Sequence, residues 1–168
     1  MAEAGALPAA LMTVLDQVDD RGLAILTGGP GIGRSTALAR LAGRARGPVF
    51  SGGGLLTLRH VPGLALSRAI RARVPDRDAP LAAEAVRARL RDGVLILDDV
   101  QDADPLTLAV LPLLAPHCRV LAALRTPSGL PPSTEAALRK AAEAWIPLPG
   151  LPADEAHALV ARTAAGLT

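Results

Sequence analysis

Three short stretches carry residue types able to do chemistry. The first is TGGPGIGRST at 27–36. Gly28, Gly33 and Ser35 fit the phosphate-binding spacing G-x-x-x-x-G-K-[ST], with Arg34 standing where the lysine belongs. The second is VLILDDV at 94–100, four apolar residues running into Asp98 and Asp99. The third is AALRTP at 122–127, which puts Arg125 at the end of another apolar run.

A glycine loop of this kind works because backbone N–H groups and a helix N-terminus converge on phosphate oxygens. Glycines allow the close approach that side chains would block. Gly28, Gly29, Pro30, Gly31, Ile32 and Gly33 would form the cradle, followed by Arg34, Ser35 and Thr36. The Ser35 hydroxyl is placed to ligate magnesium, and Thr36 to bond a further phosphate oxygen. Arginine keeps the charge of lysine, but it is longer and planar and prefers bidentate contacts. Phosphate binding tolerates that change better than hydrolysis does, because transition-state geometry allows less error. Asp98 would hold magnesium, through water, and Asp99 would orient the attacking water. Arg125 is positioned either to sense a γ-phosphate or simply to end its strand in solvent.

The surrounding elements must bring these stretches together. GLAILTG is an apolar run ending in glycine, as a buried parallel strand does. The glycine loop follows, then a helix over RSTALARLAGRAR stopped by Gly47-Pro48. PVF reads as a second strand, closed by Ser51-Gly52-Gly53-Gly54. Leu55 to Pro62 give no clear pattern. GLALSRAIRARV predicts a helix running to Pro75, and PLAAEAVRARLRD another, with Leu81, Ala85, Val86 and Leu90 aligned. After the aspartates, Asp104-Pro105 supplies an N-cap and a first-turn proline. CRVLAALR is a further buried strand, and PPSTEAALRKAAEAW a helix capped by Ser133 or Thr134. AWIPLPG predicts a last short strand. Two amphipathic helices flank this core, one over Leu7 to Val18 and one over PADEAHALVARTAAG.

Alternating strands and helices, with strands apolar throughout, predict an α/β domain whose parallel sheet is covered on both faces. At 168 residues the chain is one domain's worth, a leading helix over 1–21 and a core over 22–168. With one Phe, one Trp and no Tyr, the core must be aliphatic. Aromatic stacking platforms for single-stranded nucleic acid are excluded on the same ground. The formal charge is only +2, and the densest basic stretch, RAIRARVPDR, reads as a solvated helix face. Cys118 is alone and reads as a buried thiol at a strand end. The N-terminus carries Glu3, Asp16, Asp19 and Asp20 instead of a basic leader, and no apolar run reaches membrane-spanning length. The expectation is a cytoplasmic protein without a membrane partner.

Together GGPGIGRSTALARLA, VLILDDVQDADPLTL, VLAALR and IPLPGLPADEAHALV resemble one family. It is the ATP-binding domain of the large LuxR-type transcriptional regulators, in the STAND class of AAA-like P-loop ATPases. The resemblance covers residues 10–165. It implies a P-loop NTPase three-layer sandwich with a five-stranded parallel sheet in the order 5-1-4-3-2. It also implies binding of ATP or ADP with Mg2+, slow hydrolysis and nucleotide-dependent assembly. The positions it matches are Gly28, Gly31, Gly33, Arg34, Ser35 and Thr36 for the phosphates, Asp98 for magnesium, Asp99 for water and Arg125 for the γ-phosphate.

This sequence departs from the family at Arg34. VQDADP also replaces the more usual LHWADP, which removes an aromatic brace behind the aspartates, and an adenine-holding GRE-type segment is missing. The family's lid, winged-helix and DNA-binding segments have no counterpart in it, so the chain reads as a fragment or a stand-alone remnant. Direct nucleic-acid binding is therefore not expected of this segment. Expected partners are a nucleotide, another copy, or downstream domains. Two other readings stand beside the switch: a degenerate pseudo-ATPase used as an interaction module, and a small-molecule kinase, which would need convergent arginines in a substrate pocket.

Overall fold

The computed structural model describes residues 21–148. The two flanking amphipathic helices of the sequence reading lie outside them. Five strands form one parallel sheet: β1 (Gly22–Gly28), β2 (Val49–Gly53), β3 (Val94–Asp98), β4 (Arg119–Arg125) and β5 (Ala144–Pro147). Their order is β2-β3-β4-β1-β5, the expected 5-1-4-3-2 read from the other edge. Among the described residues five α-helices accompany them: α1 (Arg34–Arg44), α2 (Leu64–Ile70), α3 (Ala79–Leu90), α4 (Pro105–Leu114) and α5 (Pro132–Ala141). None of the described helices is long and apolar enough to cross a membrane.

The central strands are apolar on both faces because both faces are covered. In β1, Leu23 and Ile25 join one buried cluster with residues of α2, α3, α4 and α5. Ala24 and Leu26 face the other way and pack with Ala37, Leu38 and Leu41 of α1. Among the described residues α1 is the one helix on that face, and it lies over β3 and β4 as well as over β1. The core is aliphatic, as the composition requires. Cys118 is buried within it. Burial pushes its thiol pKa up, and the nearby Arg87 pulls it the other way.

Several boundaries differ from the sequence reading. Of the serine and glycines expected to close β2, Ser51, Gly52 and Gly53 belong to it and Gly54 follows it. They are there because neighbours come too close for side chains. A Cβ on Gly52 would lie 2.8 Å from the Ala69 Cβ of α2, and one on Gly53 2.7 Å from the Asp98 carbonyl oxygen. Helix α2 stops at Ile70, short of Pro75. Arg71 turns left-handed there (φ 54°), and the Ser67 hydroxyl accepts the Val74 N–H at 3.2 Å. This is a local side-chain bond competing with the helix ladder. Arg68, Arg71 and Arg73 are exposed, so the basic stretch is a solvated surface. In α3 the inward face is Ala82, Ala83, Val86 and Leu90, while Leu81 points out. The unpatterned 55–62 segment contains a single 3₁₀ turn at Leu56–Leu58. Helix α5 starts after Pro131 with no side-chain cap, and Ser133 and Thr134 lie inside it.

Asp104 does more than cap α4. It is buried, and its carboxylate accepts the Thr107 N–H at 3.0 Å and the Thr107 hydroxyl at 2.7 Å. It also accepts the N–H groups of Gly63 and of Ala65, the latter at 3.3 Å. One carboxylate therefore starts α4 and fixes the entry into α2. Asp104→Ala leaves buried N–H groups unpaired, and a loss of about 3 kcal/mol or more is expected. Urea unfolding of the variant against the parent checks this.

Candidate functional site

Strand β1 ends at Gly28, and the chain turns through Gly29 to Gly33 into α1. Gly31 and Gly33 adopt φ of 77° and 97°, which glycine alone takes without strain. A Cβ on Gly29, Gly31 or Gly33 would meet open space, so these three glycines are not crowded by other parts of the protein. Gly33 heads α1 with no side-chain cap bond, leaving the first N–H groups of an eleven-residue helix without a side-chain acceptor. Uncapped N–H groups at a helix start favour an anion. Pro30 and Gly31 are exposed at the tip, and Ile32 folds back so that its side chain fills the space beside Gly28.

The loop and the aspartates meet. The Ser35 hydroxyl donates to Asp98 Oδ2. The other oxygen, Oδ1, accepts the Asp99 N–H at 2.8 Å. Arg34 Nη1 donates to the Gly28 carbonyl, and its Nη2 stands 4.0 Å from Asp99 Oδ1. The consecutive pair Arg34-Ser35 thus faces the consecutive pair Asp99-Asp98. The Arg34–Asp99 pair is long, and Asp99 is 47% exposed, so it contributes less than about 1 kcal/mol. Thr36 is exposed on the first turn of α1.

Asp99 itself is left-handed (φ 46°), a conformation aspartate tolerates better than most residues. It is held there by Gln101, whose Nε2 donates to Asp99 Oδ1 at 3.2 Å and to Asp102 Oδ2 at 3.3 Å. Gln101 Oε1 accepts the Arg125 N–H at 2.9 Å. Gln101 is buried and links the aspartate turn to the end of β4. The sequence reading noted only a missing aromatic brace in VQDADP and did not single out Gln101, whose amide holds the turn. Its one signal was a polar residue three positions beyond a buried strand. The Arg125 side chain lines a neighbouring cleft with Arg59 and Arg77. Among the described residues no cluster of histidine, cysteine and acidic groups is arranged to hold a metal by itself.

No protein-family model matches the chain, and no curated protein does. Solved structures are similar in fold. The ORC1 protein of Aeropyrum pernix, solved in complex with DNA, aligns over 96% of this chain and 50% of its own, with TM-score 0.58 and 18% identity. The Holliday junction branch migration motor RuvB of Thermotoga maritima aligns over 83% of this chain and 43% of its own, with TM-score 0.50 and 18% identity. The Pif1 helicase of Candida albicans aligns over 85% and 39%, with TM-score 0.50 and 19% identity. The chain thus spans half or less of the length of each. With its all-parallel sheet ordered β2-β3-β4-β1-β5, a glycine loop leading from β1 into α1, and these structural neighbours, the chain has the P-loop NTPase fold.

Proposed function

We propose that this chain binds ATP or ADP with Mg2+ and acts as a nucleotide-dependent switch within a LuxR-type transcriptional regulator, with weak or no hydrolysis. The observation that carries the reading is the junction of the glycine loop with the aspartate pair, through Ser35 to Asp98 and Arg34 to Asp99. The phosphates would lie in the open side of the Gly28–Gly33 loop against the uncapped start of α1. Arg34 and Thr36 would supply side-chain donors. Ser35 and Asp98 offer the hard oxygen donors that Mg2+ prefers, already within hydrogen-bonding reach of each other. Bound there, the metal would neutralise phosphate charge. Asp99 would orient water and Arg125 would answer to the γ-phosphate. Arg34 is the switching side chain: it is held by the Gly28 carbonyl and faces Asp99, and phosphate would compete for it.

A second reading has its own support. The guanidinium that should meet phosphate is engaged by the loop's own carbonyl at Gly28, as in a degenerate site retained as an interaction module. Melting curves separate the two. With Mg-ATP at one hundred times its Kd, the switch reading expects the parent's melting temperature to rise by about 5–10 °C. Asp98→Ala should remove the dependence of that rise on magnesium. Arg34→Lys should keep or enlarge it. No rise in the parent, with one appearing in Arg34→Lys, establishes the degenerate module; no rise in either overturns nucleotide binding.

A further inference from the structure

A cleft of about 920 Å³ opens between the 3₁₀ turn, the starts of α3 and α4, and the loop after β4. Its size falls within the roughly 300–1,000 Å³ typical of small-molecule pockets. Apolar walls come from Leu106 and Ala109 of α4 and from Leu130. Cations also line it: Arg59, Arg77 and Arg125, with His60 beside them. The two carboxylates in its lining are already engaged. Asp78 accepts the Leu81 N–H at 2.8 Å as the cap of α3, and Asp102 accepts from Gln101. Among the described residues none of the cleft's three guanidiniums is paired with a carboxylate.

Three unpaired guanidiniums around an apolar slot complement an anionic head on an apolar body. Guanidinium bonds to carboxylate, sulfonate or phosphate are charge-assisted and bidentate, and the slot removes the apolar part from water. We propose that this cleft is a binding site for a small amphipathic organic anion. Gln101 lines it and also bonds Asp99, so the cleft shares a wall with the aspartate turn.

A fluorescence titration of the full chain with 8-anilinonaphthalene-1-sulfonate tests the proposal. Saturable binding of one probe per chain is expected. The uncharged N-phenyl-1-naphthylamine should bind about tenfold more weakly, having lost the guanidinium contacts. Two variants at exposed positions probe the walls separately, with circular dichroism to check their folding. The double change Arg59→Gln and Arg77→Gln removes charge, and Ala109→Trp fills the slot with every charge kept. Each should weaken sulfonate binding by about tenfold or more. Unchanged affinity in either variant, equal binding of the neutral probe, or no saturable binding overturns the proposal. So does a parent dimer that the variants dissolve in sedimentation, which would assign the cleft to a second copy of the chain.

Discussion

The Ser35 hydroxyl reaches the Asp98 carboxylate although β4 runs between the strands that lead to them. The contact depends on where α1 lies. On leaving β1 the helix crosses over β4 and β3, seating Ala37, Leu38 and Leu41 against Val94, Ile96, Leu121 and Ala123. The N-terminal turn of α1 is thereby carried sideways across the sheet, towards the end of β3. The strand inserted between β1 and β3 therefore widens the sheet without separating the loop from the aspartates. That strand also serves the junction directly: the Thr126 N–H just beyond it bonds the Gly28 carbonyl at 2.9 Å. The polar contacts at the junction are few and partly exposed, so they follow from the apolar packing beneath them and do not replace it.

The aspartate turn needs a second constraint. It is crowded from the β2 side, where the Gly54 N–H bonds the Asp98 carbonyl at 3.0 Å. A Cβ on Gly54 would run into the Asp99 carbonyl and the backbone of Asp102 and Ala103. Gly54, just past β2, thus lets the turn fold tightly enough for Asp99 to look back towards Arg34. Also on the β2 side, the Asp104 carboxylate ties the start of α4 to the entry into α2. Asp98 through Asp104 is thus held from the β2 side, and Gln101 fixes its middle to β4. A left-handed aspartate costs of order 1 kcal/mol, and it persists only where its surroundings define it this fully.

The sheet, its order and the meeting of loop and aspartates were legible because they rest on long-range patterns. Strands apolar along their whole length, such as 23–26 and 94–97, say that both faces are covered. Where sequence reasoning failed, the deciding partner was remote. SGGG reads as a turn by composition, and only the approach of Ala69 and of the Asp98 carbonyl explains a glycine strand. The early end of α2 turns on Ser67 choosing a backbone bond at Val74. Gln101 was passed over because a family pattern records residue types, not the bonds that can substitute for them. Its amide reaches three partners on two elements, and no local spacing rule encodes such a link. The cleft was invisible for the same reason. Arg59, Arg77 and Arg125 lie in three separate segments and share a wall only in the folded chain.

Arg34 shows what this fold does with an unusual residue. A lysine carries its three donors on one nitrogen, so its acceptors must gather around a single point. The arginine fork divides its work: Nη1 bonds the Gly28 carbonyl, where β1 ends, while Nη2 faces Asp99, just beyond the end of β3. One side chain thus links the two segments that a phosphate-binding loop and its aspartates must hold together. The carbonyl bond is largely shielded from water, since the Arg34 side chain is only 11% exposed, and the aspartate contact is long and wet. The two halves of the fork are therefore unequal. The half at Gly28 holds the loop closed on itself, and the half at Asp99 is weak enough to yield to a better anion. An arginine here preserves positive charge at the head of α1 and adds a tether that lysine could not form at both ends, so the change alters how the loop is held before it alters how much charge the loop presents.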